Sequence, residues 1–176
     1  MNMNPELLVR LEHAIRRRNS VLADRLLPGL PIARINRMLD RGKVKGAVGP
    51  IVGLYSWKNG TQPNAHVTPE QPSLFPGVVY MLAELDLMIA HFCGFKEIAA
   101  YHPRYTEVIG RYFPLFWNGS TDFLAVDLEP SSQGRVVVLE KKADKLVREV
   151  YPSVEEFLMD AIRANENNDS LFCFKT

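Results

Sequence analysis

The sequence is poor in cysteine, in long apolar runs and in the signatures of catalysis, and each shortage removes a class of protein. Its 176 residues include only two cysteines, Cys93 and Cys173. Their wide separation spells out neither a disulfide framework nor a metal knuckle, so a reducing, cytoplasmic setting is expected. No apolar stretch approaches the ~20 residues that a membrane-spanning helix needs. The longest one, residues 77–92, is interrupted by Glu84 and Asp86. The opening residues Met1–Glu6 carry neither the charged nor the apolar region of a signal peptide. No membrane partner is therefore expected. The four histidines, His13, His66, His91 and His102, lack further ligands at metal-binding spacing. His91 and Cys93 are two positions apart, which no helix places on one face. No GxSxG, P-loop, GxGxxG or HExxH pattern occurs. The expectation is a protein that is not an enzyme and uses no cofactor.

What is present is the ordinary globular mixture, 47% hydrophobic and 23% charged, which argues against disorder. The length suits one domain spanning residues 1–176. Net charge is +1, but residues 1–50 hold ten Lys/Arg against four Asp/Glu, and the remainder is net acidic. Such asymmetry marks either a surface for an anionic partner or simply the wet faces of N-terminal helices. Arg16, Arg17, Arg18, Lys43 and Lys45 are its candidates for phosphate contacts. With no nucleic-acid motif in view, nucleic acid is not expected to be the main partner.

The order of local signals predicts an α+β domain with N-terminal helices, a central antiparallel meander and a closing C-terminal helix. Asn4-Pro5-Glu6 is an N-cap, a proline at the first helical position and an acid at the positive helix end. Leu7, Leu8, Leu11 and Ile15 then repeat at helical spacing within an N-terminal helix over 1–20. Residues 26–31 read as a hinge. Pro31 opens a second helix with Ile32, Ile35 and Leu39 on one face, closed by Arg41-Gly42. Gly49-Pro50 opens a third, with Ile51, Leu54 and Tyr55 inward and Asn59-Gly60 as its left-handed stop. Residues 61–76 form an irregular excursion rich in proline and polar residues. A short strand over 78–82 precedes a helix carrying Leu85, Met88, Ile89 and Phe92, which Gly94 is expected to end. Strands follow at 114–117, 122–128, 135–139 and 146–151. Their short connections require antiparallel neighbours, and one face of the sheet is expected to be partly open. Ser153 and Glu156 form a capping box ahead of a last helix with Val154, Phe157, Leu158, Ala161 and Ile162 inward. Residues 165–169 are a polar exit, and the 165–176 tail ends in the apolar segment 171–174. Leu54, Tyr55, Phe123, Val137, Phe157 and Leu158 are expected to meet in one core.

Candidate functional residues are those able to bind a protein. Asp122, Asp127 and Glu129 lie on or beside one strand, and Asp127 and Glu129 share a face if that strand stays regular. They are a recognition cluster, a catalytic pair or turn-binding carboxylates, and the turn-binding role is commoner than the catalytic one. Trp117 is close by across a short turn, as an exposed anchor or as core. Glu84 and Asp86 begin the neighbouring helix. Together Trp117, Asp122, Asp127, Glu129, Glu84 and Asp86 make the candidate partner-binding surface, acidic residues around an aromatic.

Three segments carry a resemblance to a known family. Gly53-Leu-Tyr-Ser-Trp-Lys-Asn-Gly60, the strands Tyr112–Trp117, Asp122–Leu128 and Gly134–Val138, and Tyr151-Pro-Ser-Val-Glu-Glu-Phe-Leu158 resemble, in this order, the SUKH superfamily of Smi/Knr-like regulators and bacterial toxin-immunity proteins. The resemblance covers roughly residues 20 to 165. The 61–76 excursion, the glycine- and lysine-rich 41–46 segment, the N-terminal helix and the tail depart from it. It implies non-catalytic binding: an immunity protein that neutralises a cognate polymorphic toxin, such as a nuclease or deaminase domain. The alternative it leaves is a regulatory or scaffold adaptor that binds a host protein or nucleic acid through the basic N-terminal face.

Overall fold

The computed structural model describes residues 3–62, 80–120, 122–132 and 134–167. The chain begins with α1 (Pro5–Arg18), α2 (Ser20–Asp24), β1 (Leu26–Pro28), α3 (Ile32–Arg41), α4 (Gly49–Trp57) and β2 (Lys58–Thr61). It continues with β3 (Met81–Leu82), α5 (Leu85–Tyr101), a 3-10 segment (Pro103–Val108), β4 (Tyr112–Trp117) and β5 (Phe123–Asp127). A short 3-10 turn (Pro130–Ser132), β6 (Val136–Leu139), β7 (Val147–Tyr151) and α6 (Val154–Asn167) close it. The fold is α+β, with N-terminal helices, an antiparallel sheet ordered β3-β4-β5-β6-β7 and a C-terminal helix.

The start signals act as expected. The Asn4 side chain accepts from the Glu6 backbone N–H at 3.0 Å, and Ser153 Oγ accepts from Glu156 N–H at 3.2 Å. The stops differ. Gly94 does not end α5, which runs on to Tyr101. Glycine costs a helix interior only ~1 kcal/mol, and buried Met88, Phe92 and Phe95 anchor α5 on both sides of it. Asn59-Gly60 is not a helix stop but part of β2, which pairs with β1, so the expected 26–31 hinge begins as a strand. Gly60, at φ +100°, lies where a Cβ would meet Glu84 N at 2.8 Å. Ile32 is 57% exposed rather than inward. Asn165 is buried within α6 instead of starting a polar exit. The expected strand at 78–82 is described only at Met81–Leu82. Most of the 61–76 excursion, and the 171–174 segment, lie outside the described residues.

The sheet is covered on both faces, which corrects the expectation of an open side. Every residue of β5 and β6 is buried. On one face Phe123 meets His91 and Phe95 of α5, at ring separations of 4.9 and 5.8 Å. On the other, Phe157 of α6 meets Phe116 and Tyr151 at 5.6 and 5.4 Å. A strand buried on both faces has no reason to alternate, so the period-two reading of residues 122–128 located the strand but not its surroundings. Leu54, Tyr55, Phe123, Val137, Phe157 and Leu158 belong to one buried cluster. α1 packs along α6 and is tied to it by Asn4 N–H on Glu155 at 3.3 Å and by Arg17 on Glu166 at 3.3 Å.

Candidate functional site

The structure divides the carboxylates that the sequence groups together. β5 has five residues, so Asp122 and Asp127 stand at opposite ends of it. At the first end, Asp122 is half-buried and accepts from Asn118 Nδ2 at 3.0 Å and from Lys141 N–H at 3.1 Å. The Asn118 side chain in turn accepts from the N–H groups of Ser120 and Asp122 at 2.9 and 3.1 Å. This is a closed turn clamp in which the aspartate holds two connections together. At the other end Asp127 is 1% exposed. It pairs with Arg111 at 3.1 Å and accepts from Glu129 N–H at 3.0 Å. The Arg111 guanidinium also lies over the Tyr112 ring at 5.0 Å. A buried carboxylate so occupied is not available to a partner. Because β5 ends at Asp127, Glu129 does not continue its face; it is exposed beside the 130–132 turn.

Trp117 is half-buried, its indole N–H donating to the Ser120 carbonyl at 3.1 Å. Its ring faces His91 of α5 at 5.3 Å. Burial holds the His91 imidazole below its usual value, so it is neutral at pH 7 and serves as an aromatic spacer between helix and sheet. Glu84 and Asp86 are exposed at the start of α5, where negative charge suits the helix dipole.

The strongest surface feature is one that residue-by-residue reading of the sequence missed. α5 keeps an apolar stripe in solvent: Leu87 is 40% exposed, Ile98 37% and Tyr101 84%, with Ala90 also exposed and Gly94 half-buried between them. At 3.6 residues per turn these five positions fall within about 80° of one another and span roughly 21 Å. Asp86 and Glu97 are exposed along one margin, and the half-buried His91–Trp117 pair flanks the other. The spacing 87, 90, 94, 98, 101 is a heptad-like seam. It was present in the sequence, but ending the helix at Gly94 cut it in two. An isolated exposed apolar residue is ordinary, whereas a continuous row with an aromatic at its end is the pattern of a contact surface.

The basic residues also sort differently from their order in sequence. Arg16 pairs with Asp24 at 2.6 Å and Arg17 with Glu166 at 3.3 Å, and Arg18 is half-buried. That part of the basic N-terminal region is therefore largely neutralised within the fold. Among the described residues no three His, Cys, Asp or Glu side chains are placed to hold a metal ion, and no helix is long and apolar enough to cross a membrane. Comparison with known proteins gave no matching family model and no matching curated protein.

Proposed function

We propose that the chain is a non-catalytic protein-binding module of the toxin-immunity type, which blocks a toxic domain by covering it. The observation that carries the reading is the exposed α5 stripe ending on Tyr101, 84% exposed, with carboxylates beside it. Aromatic anchors surrounded by weaker contacts dominate protein interfaces. Asp86 and Glu97 on the margin, with Glu84 near the helix start, suit a partner with a basic cleft, as a domain acting on nucleic acid has. Trp117 supports the stripe from the sheet side. Asp122 and Asp127 hold the turns beneath and are not part of the contact. The resemblance of residues 53–60, 112–138 and 151–158 to the SUKH superfamily supports the same class.

The test begins with the neighbouring genes, where a large secreted protein ending in a toxic domain is expected, and takes that domain as the partner. Titration calorimetry and inhibition of that domain's activity are measured for the unaltered protein and for Tyr101→Ala. Losing an anchor worth about 2 kcal/mol weakens binding by ~30-fold, and inhibition should fall in parallel. Affinity within twofold for Tyr101→Ala, Ile98→Ala and Leu87→Ala alike would place the contact elsewhere. Turnover of ester, phosphodiester or nucleobase substrates by the chain itself, abolished in Asp122→Ala, would overturn the non-catalytic reading.

A further inference from the structure

α3 carries a row of cations with no ion-pair partner among the described residues; Arg37 Nε donates only to the Ala33 carbonyl of its own helix, at 3.3 Å. Arg34, Arg37 and Arg41 are exposed; at 3.6 residues per turn they lie within about 60° of one another over roughly 10 Å. Lys43 and Lys45 follow, exposed on either side of buried Val44. Among the described residues no carboxylate is within ion-pair distance of any of the five, in contrast to Arg16, Arg17, Lys58, Arg111, Arg135, Arg148 and Arg163. The single acid on α3, Asp40, lies about 60° around the helix from Arg37 and about 100–120° from Arg41 and Arg34, and it makes no ion pair with any of them.

The turn that ends α3 is unusual. Val44 N–H donates to the Leu39 carbonyl at 2.9 Å and Lys43 N–H to the Asp40 carbonyl at 3.0 Å. This pair of reversed hydrogen bonds is the standard left-handed helix stop, and its left-handed position ordinarily holds glycine. Here that position is Lys43, at φ +55°. The neighbouring Gly42 keeps right-handed geometry and is needed for another reason: a Cβ there would meet Ile89 of α5 at 2.7 Å. A cation thus occupies a backbone position that costs an L-residue about 1–2 kcal/mol. Strain of this kind concentrates at functional sites.

We propose that α3 and its closing turn form a docking face for the phosphate backbone of duplex nucleic acid. The chemistry of the face favours that partner. Three guanidiniums in a row match phosphate oxygens by paired hydrogen bonds, and backbone contacts need no base-reading side chain. The face has no aromatic residue on which to stack an unpaired base. It also lacks the apolar wedge that a membrane-surface helix inserts, since Ile32, its one strongly exposed large hydrophobic residue, falls on the opposite flank. The proposal stands independently of the α5 reading.

Fluorescence polarisation of a labelled duplex of about 20 base pairs, between about 50 and 200 mM salt, measures both affinity and its salt slope. The triple variant Arg34→Gln/Arg37→Gln/Arg41→Gln should reduce the slope of log K against log salt by about 2.7, or ~0.9 per lost contact. The α1 variant Arg10→Gln/Arg16→Gln/Arg17→Gln should change it by less than about one unit. Lys43→Gly keeps the turn and removes one charge, so its slope should fall by about 0.9; this variant decides the matter if the triple variant does not fold. An unchanged slope in the folded variants overturns the proposal. So does equal competition by polyglutamate, or by phosphatidylserine vesicles, at matched charge concentration.

Discussion

α3 and α5 each leave one face in solvent, and the two faces are opposite in kind. α5 shows leucine, isoleucine and tyrosine, and its other side is pinned to the sheet by Phe92 on Phe113 and Phe95 on Phe123, with Met88 buried. α3 shows arginine and is seated by only two fully buried side chains, Ile35 and Leu39, with Val44 completing the cap. An apolar contact surface works through area and shape, so it needs a rigid seat. A cationic surface works at longer range and tolerates a lighter attachment. The difference teaches that the charge asymmetry of the sequence and the functional asymmetry of the fold do not coincide. Arg16 and Arg17 of α1 are spent on ion pairs within the molecule, whereas the exposed arginines of α3 have no ion pair among the described residues.

The comparison breaks most visibly at the seat of α5. Phe95 is 1% exposed and contacts the rings of Phe123 and Tyr105 at 5.8 and 6.1 Å. Phe95→Ala should destabilise the protein by about 3–5 kcal/mol, the usual range for a buried phenylalanine. Chemical denaturation measures it. A loss below about 1 kcal/mol would mean that α5 is not fixed on the sheet, and the stripe would lose its geometry with it.

Leu39→Ala probes the lighter seat of α3. Leu39 is 3% exposed, and its carbonyl accepts the hydrogen bond that closes the turn. Truncation should cost about 2–3 kcal/mol, the low end for buried leucine, because the edge of the core relaxes more readily. A cost as large as that of Phe95→Ala would remove the distinction between the two helices.

Local chemistry made much of this legible in the sequence. Asn4 and Ser153 each satisfy a backbone N–H of their own first turn, and Pro50 opens α4 without a side-chain cap because its fixed φ suits the first turn, so these helices start where the sequence says. The failures are positions decided by distant residues. Gly94 reads as a stop unless Phe95 is known to be buried on Phe123. Asn59-Gly60 reads as a cap unless β1 is known to pair with it. Asp122 and Asp127 read as a cluster because five residues look short, yet they span the length of a strand and are captured by Asn118, Lys141 and Arg111. The α5 stripe was written in the spacing, but whether such a row is core or surface depends on where the sheet lies.

The smallest effect expected is also the one that separates function from stability most cleanly. Lys43 sits at φ +55° with an exposed side chain, so Lys43→Gly removes no packing. Glycine adopts this backbone geometry without the steric cost, although it also widens the unfolded ensemble. The two effects oppose each other, and relief of the left-handed strain is the larger. The variant should therefore be more stable by up to about 1 kcal/mol. Thermal melting at matched pH and salt detects this as a rise of a few degrees. If the same variant loses affinity for a duplex while gaining stability, the lysine is there for its charge. A drop in stability would show that the Lys43 side chain makes a contact that holds the turn, and the case for a strained, exposed cation on α3 would fail.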